Sequence, residues 1–310
     1  MTAKTPSPHR ILVLGAGELG TAVLEGLVHH AKYSPSFVHI SVLLRTSSIQ
    51  SVDVNKAAQN ARLKSLGAEL VAGDVTGDSV RELAMTFAKY DTVIGCVGMG
   101  LPLGSQTKIS GAVLEAGVAR YVPWQFGIDY DVVGQGSAQD LFDEQLKVRG
   151  LLRAQEKTGW NIVSTGLFMS FLFLSAFGVV DREARKIRAL GSWGNRVTVT
   201  TPEDIGRCTV EAVLDPRGLG SGIVYVSGDT VSYGDVARLV EERFEGDWDK
   251  EEWDMVLLRR GLEEQPDDGM LKYRNVFGAG VGVAWDKEKT LNYERGIKMT
   301  TVKEYLAQMD

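Results

Sequence analysis

The chain has 310 residues, enough for a nucleotide-binding domain and a smaller second lobe with ample core. Composition is ordinary for a soluble globular protein, 44% hydrophobic and 24% charged, and a net charge of −6 with no Lys/Arg-rich run argues against nucleic acid as the main ligand. No apolar stretch approaches membrane-spanning length and residues 1–8 form a polar tail without a signal-peptide core, so a cytoplasmic protein with no membrane partner is expected.

The first predicted strand, residues 11–14, runs into the G-x-G-x-x-G turn Gly15-Ala16-Gly17-Glu18-Leu19-Gly20, and a helical stretch follows at once. Glycine permits so tight a turn and lets the backbone approach a pyrophosphate. The helix start behind it, at Glu18 and Leu19, then offers unpaired N–H groups to the phosphates. A lone glycine turn is weak, because such turns also join strands to helices for structural reasons. Here a second strand, residues 37–44, closes a βαβ unit of the right length. That strand ends Leu44-Arg45-Thr46-Ser47, with no carboxylate before Asp53. NAD sites place an acid there for the ribose 2′-hydroxyl. Arg45 instead offers a planar fork, with hydroxyl donors on Thr46 and Ser47, to the 2′-phosphate of NADP(H). The alternative is an arginine simply solvated at a strand end.

Residues 50–67 then read as a helix, 69–73 as a strand, 79–90 as a helix and 92–98 as a buried strand with a glycine-rich end. A helix at 106–116, a strand at 120–123, a polar helix at 139–157 and a strand at 161–165 follow. This alternation predicts an α/β fold, a Rossmann-type doubly wound parallel sheet over residues 1–165. Ligands in such sheets sit beyond the carboxyl ends of the strands, which selects residues 98–105, 124–131 and 166–173. Asp74 is assigned to the adenine, and Val97 and Gly98 to the nicotinamide ribose. Met99, Trp124, Phe126, Tyr130, Thr165 and Phe168 are assigned to the substrate, with Asp131 beside Tyr130. Trp124 serves equally as an aromatic pocket wall or as core filler.

From residue 166 the rhythm loosens into a smaller C-terminal α/β substrate lobe, residues 166–310. Strands at 196–200 and 223–227 and helices at 203–214 and 233–244 remain readable, and Thr201-Pro202-Glu203-Asp204 is a good helix start. Segments near 197–228 are expected to return to the first domain, whereas 247–310 is mixed and poorly periodic.

Two cysteines cannot form a disulfide framework, and Cys96 and Cys208 read as buried thiols. All four histidines lie in the first forty residues: His9 in the tail, His29 and His30 at the solvated end of the first helix, and His39. A triad with a late histidine is therefore excluded, and no metal site is expected. Proton chemistry falls to Lys, Tyr, Asp, Glu or an activated water.

Five segments in order, the Gly15–Gly20 turn, Leu44–Ser47, Gly73-Asp74-Val75, Val118–Gly127 and Thr201–Gly206, resemble the NmrA-like and isoflavone reductase-like branch of the atypical short-chain dehydrogenase/reductases. Val226–Thr230 adds a sixth. The resemblance implies an NADPH-dependent reductase of phenolic or related secondary metabolites, or an NADP-binding regulator without chemistry. Two departures stand out. Glu18 follows Gly17 where the family has Thr nearby, and Pro123-Trp124-Gln125-Phe126-Gly127 replaces Pro-Ser-Glu-Phe-Gly. The short-chain signature Tyr-x-x-x-Lys is absent; reductases of the branch instead place a lysine in the helix after Phe-Gly. Lys147 is the lysine available there, as proton donor or orienter of a water beside the nicotinamide. Its competing reading is an exposed i, i+4 pair with Asp143. The combined expectation is an NADPH-dependent reductase of a small, aromatic or conjugated carbonyl metabolite, with a homodimer as the candidate assembly. A noncatalytic NADP sensor with a regulatory protein partner and a cofactor-retaining isomerase or epimerase remain open.

Overall fold

The apolar run before the first glycine turn becomes β1 (His9–Leu14), whose last four side chains are fully enclosed. A parallel strand covered on both faces has no polar side, so it reads as a continuous apolar run. In the computed structural model, which describes residues 8–309, β1 pairs in parallel with β2 (Val38–Leu44) and β4 (Thr92–Gly95). The first seven residues of the expected tail, and Asp310, lie outside the described residues. β3 (Glu69–Ala72) joins β2, and β5 (Arg120–Val122) and β6 (Gly159–Ser164) continue beyond β4, all parallel. With β11 (Gly222–Tyr225) at one edge, the order is β11-β6-β5-β4-β1-β2-β3. The order reverses between β1 and β4, and the loops leaving those strands open the crevice where doubly wound sheets take ligands.

His9 departs from the expectation of a tail residue. It lies in β1, with Nε2 2.8 Å from Thr92 Oγ1, and burial holds its imidazole below the usual pKa. The helix expected over 50–67 starts later, as Val54–Ser65, because Asp53 caps it by accepting from the Lys56 amide, and a separate short helix, Thr46–Ile49, precedes it.

The chain divides into two compact units. Unit 1 holds the described residues up to Gln125, Lys147–Val163 and Ile205–Ile223; unit 2 holds Phe126–Leu146, Ser164–Asp204 and the described residues from Val224 on. The sequence expectation is a first domain over residues 1–165 and a lobe over 166–310, with segments near 197–228 returning to the first. Residues 205–223 return to unit 1 because the helix Pro202–Leu214 lies backbone to backbone against the helix Glu18–His29: a Cβ on Gly206 would stand 2.4 Å from the Ala22 carbonyl oxygen. Residues 126–146 join unit 2 because Tyr130 and Phe142 enter its core, their rings 4.9 Å apart.

Unit 2 carries two three-stranded sheets. β10 (Arg196–Thr200) lies between β7 (Leu167–Phe168) and β12 (Asp229–Ser232), and β9 (Lys186–Leu190) between β8 (Val180–Asp181) and β13 (Asp249–Trp253). The aperiodic stretch after residue 247 folds into β13 and short helices, among them Met255–Glu264, Gly269–Ala279, Leu291–Arg295 and Val302–Ala307. Their starts are set by side-chain caps on Asp254, Asp268, Thr290 and Thr301, a signal stronger than periodicity in helices this short. Among the described residues no helix is long and apolar enough to cross a membrane.

Candidate nucleotide and active site

The glycines of the first turn do different work. Gly15 has φ +86°, in the left-handed region, and donates to the Leu43 carbonyl at 3.2 Å. A Cβ on Gly20 would stand 2.2 Å from the Gly15 oxygen, so the protein's own backbone excludes one there. Gly17 answers to neither demand. Its φ is −70° and no atom lies within 4 Å of where a Cβ would point. It begins the helix Glu18–His29 with no side-chain cap, leaving the first-turn amides facing exposed space. That bare, uncapped space fits a pyrophosphate.

Beside this turn, Arg45 stands exposed at the end of β2 with no hydrogen-bond or ion-pair partner among the described residues. Thr46 and Ser47, also exposed, form the first turn of the short helix it begins. Asp74, after the neighbouring β3, accepts from the Thr76 hydroxyl (2.6 Å) and amide (2.9 Å). Those bonds hold its carboxyl below the usual range, and the Arg45 guanidinium adds to the effect. The helix Val54–Ser65 supports both features. Gln59 Nε2 donates to the Ala16 carbonyl within the glycine turn, and Asn60 Nδ2 to the carbonyls of Ser48 (2.9 Å) and Ile49 (3.3 Å).

At the other side of the crevice β4 gives way to Val97, Gly98 and exposed Met99. Gln106 Nε2 donates to the Val97 carbonyl at 2.9 Å and fixes that loop. A Cβ on Gly98 would stand 2.0 Å from Trp124 Cδ2, so the half-buried indole lies directly on bare backbone. The next residue, Gln125, accepts from Nε of Arg149 at 2.9 Å, both side chains being buried. Cys96 is buried and its thiol pKa is pushed up, an unreactive packing residue.

Lys147 lies on the exposed face of the helix Asp140–Arg153. The pair with Asp143 does not form; Asp143 accepts from the Gly136 amide at 3.0 Å, and Lys147 has no hydrogen-bond or ion-pair partner among the described residues. The buried face of the helix carries Glu144, Gln145, Val148, Arg149 and Leu152.

Gly15, Gly17, Glu18, Leu19, Gly20, Arg45, Thr46, Ser47, Asp74, Val97, Gly98, Met99, Trp124 and Lys147 belong to unit 1. Phe126, Tyr130, Thr165 and Phe168 belong to unit 2. Tyr130 and Thr165 are enclosed there, Tyr130 against Phe142 and Thr165 bonded to the Gly127 carbonyl at 2.9 Å. Phe168 is half-buried where β7 ends. A cleft of about 620 Å³ in unit 2, lined by Arg196, Ser227, Thr230, Asn292 and Lys298 among others, includes none of these substrate candidates. Sequence reasoning missed Gln59, Asn60, Gln106 and the role of Arg149, and met Gln125 only as a departure from the family motif. Asn60 left a trace, on the same helical face as buried Leu63.

Comparison with known proteins identifies the family and agrees with the fold. The model of the NmrA-like family matches residues 7–306. An NmrA-like family domain-containing oxidoreductase of Gibberella moniliformis is 53% identical over 97% of this chain and 98% of its own length. A phenylcoumaran benzylic ether reductase of Pinus taeda is 30% identical, covering 97% of this chain and 98% of that protein. Among solved structures, an isoflavone reductase superposes with a TM-score of 0.79 at 21% identity, over 97% of this chain and 99% of that one. A leucoanthocyanidin reductase–NADPH complex of Vitis vinifera superposes with a TM-score of 0.78 at 18% identity, over 96% and 98%. The chain belongs to the NmrA-like family, among its oxidoreductases.

Proposed function

We propose that the protein is an NADPH-dependent reductase of a small, aromatic or conjugated carbonyl metabolite. The observation that carries this reading is the space at Gly17: nothing in the protein requires a glycine there, and uncapped amides face that space beside an exposed arginine. Gly15, Gly17 and Gly20 would cradle the pyrophosphate, and Arg45 with Thr46 and Ser47 the 2′-phosphate. The solved complexes of similar fold whose titles name NADPH and NADP+ support that nucleotide. NADPH, when bound, supplies the hydride. The chain's own part is to hold the nucleotide, to offer the Trp124 face to a flat ring and to deliver a proton. Lys147 is the proposed donor, directly or through an oriented water; its ammonium is exposed and tied to no other side chain.

The test begins with binding. One charge-assisted contact makes NADPH at least about tenfold tighter than NADH. Arg45→Ala removes that advantage and leaves NADH binding nearly unchanged. Equal affinities in the parent by titration calorimetry overturn the assignment of NADP(H). A panel of enones, quinones and phenolic ketones, followed by NADPH absorbance, then tests catalysis. A parent that binds NADPH and consumes none across the panel is an NADP sensor. One that interconverts isomers without net oxidation is an isomerase.

A further inference from the structure

Gln59 and Asn60, adjacent on the helix Val54–Ser65, reach in different directions to two separate parts of the nucleotide site. Gln59 Nε2 donates to the Ala16 carbonyl, which lies between Gly15 and Gly17. The orientation of its amide is set from behind, because Lys56 Nζ donates to Gln59 Oε1 at 3.3 Å. Asn60 is buried, and its Nδ2 donates to both Ser48 and Ile49 carbonyls at the end of the short helix that begins with Thr46 and Ser47.

We propose that Gln59 and Asn60 are positioning residues for the two phosphate subsites, Gln59 for the pyrophosphate turn and Asn60 for the 2′-phosphate platform. The inference rests on the NADPH-binding reading above. It explains how a turn and a four-residue helix, neither stable alone, hold fixed donors toward a ligand. A peptide group that presents its carbonyl to one side presents its N–H to the other. Tying down the Ala16 carbonyl therefore fixes the plane of the Ala16–Gly17 peptide and the entry to the uncapped helix start. Tying down Ser48 and Ile49 fixes the pitch of the turn carrying Thr46 and Ser47, and with it the exit of the backbone from Arg45. Both residues act through the backbone, and neither is required to touch the nucleotide.

The two positions have distinguishable signatures. Gln59→Met keeps the volume and the helix propensity but removes the donor. Since the pyrophosphate is common to both nucleotides, it should weaken NADPH and NADH by the same factor, about three- to tenfold, the worth of roughly one hydrogen bond. Asn60→Leu should weaken NADPH by a similar factor while leaving NADH within about twofold, narrowing the preference between them. Gln59→Glu, which retains length but replaces the donor with a carboxylate, should be worse than Gln59→Met for both nucleotides. Calorimetry with the two nucleotides, together with the melting temperature of the nucleotide-free proteins, reads all of this. A purely structural role lowers the melting temperature and leaves the dissociation constants of the folded protein unchanged, which overturns the proposal. So does an Asn60→Leu that weakens NADH as much as NADPH. Because Asn60 is buried, Asn60→Asp serves as a second variant of nearly equal volume, and the same NADPH-selective loss is required of it. A parent that binds neither nucleotide overturns the nucleotide reading itself and this inference with it. A parent that binds NADPH while Gln59→Met binds it equally overturns only the inference.

Discussion

The glycine turn of unit 1 and the turns around β10 and β12 of unit 2 are held in place by opposite means. In unit 1, long side chains reach in from neighbouring helices and seize backbone carbonyls: Gln59 on Ala16, Asn60 on Ser48 and Ile49, Gln106 on Val97. In unit 2 the turns around β10 and β12 are knit by short side chains whose hydroxyls and amides meet one another. Thr198 Oγ1 lies 2.8 Å from Thr230 Oγ1, which also meets Ser227 Oγ and the Trp285 carbonyl, each at 3.1 Å; Asn292 receives the Ser227 amide and donates back to its carbonyl. The first arrangement occupies acceptors and leaves backbone donors at the glycine turn for an anion. The second uses donors and acceptors on each other. On the proposed reading a ligand completes the first, whereas the hydroxyls and amides of the second are already met by one another.

The largest contrast lies between two glycines. Gly17→Val should abolish nucleotide binding and leave the fold intact, since a Cβ there has no neighbour within 4 Å among the described residues and the side chain fills the space proposed for the phosphates. Gly166→Val in unit 2 should do the reverse to the fold. Gly166 has φ +73° and a Cβ there would stand 2.1 Å from the Thr198 carbonyl oxygen, so a loss of about 3 kcal/mol or more is expected. Circular dichroism with thermal melts, with and without NADPH, reads both. A folded Gly17→Val still protected by NADPH would reduce the loop to a plain turn.

Next comes Lys147, exposed and without a hydrogen-bond or ion-pair partner among the described residues. As proton donor, its change to alanine should leave NADPH affinity as it is and lower turnover by about 10²–10⁴-fold. Stability should move by less than about 0.5 kcal/mol, since no ion pair is lost. Turnover at the parent rate makes Lys147 an ordinary surface residue.

A smaller and purely structural effect is expected in the hydroxyl lattice. Thr230→Val keeps the shape but strips the hydroxyl from Thr198, Ser227 and the Trp285 carbonyl, and should cost about 1–3 kcal/mol of stability. The NADPH dissociation constant of the folded variant should not change. A tenfold weaker NADPH affinity in Thr230→Val would break the division of labour between the units.

The same contrast explains what was legible beforehand. Enclosed parallel strands write themselves as apolar runs, and a glycine turn with an arginine at the next strand end is a local pattern. Both halves of the proposed nucleotide site are therefore local patterns in the sequence. Their supports are not: Gln59 and Ala16 are 43 positions apart, and any surface helix carries a glutamine without such a role. Lys147 was chosen by motif, whereas helical geometry speaks to its face. It lies two residues from enclosed Gln145, about 200° around the helix, and is exposed. Unit 2 was harder because its elements are short and its caps, such as Thr290 and Thr301, act within a single turn.

The smallest expected effect concerns the departure that the glycine turn carries. Glu18 is exposed in the first turn of the helix behind Gly17, where the amide ends are positive. In the nucleotide-free protein its carboxylate favours that helix end by about 0.3–1 kcal/mol. A pyrophosphate drawn to the same amides meets a like charge there. Glu18→Gln should therefore push in two directions at once. The free protein should lose up to about 1 kcal/mol of stability, while NADPH and NADH should both bind about two- to fivefold tighter. Because the charge is exposed, the gain in affinity should shrink between low salt and 0.5 M salt. Tighter binding of NADPH alone would place Glu18 near the 2′-phosphate instead. Unchanged affinity for both would mean that the carboxylate points clear of the space in front of Gly17, and that the turn tolerates an acid because the phosphates never approach it.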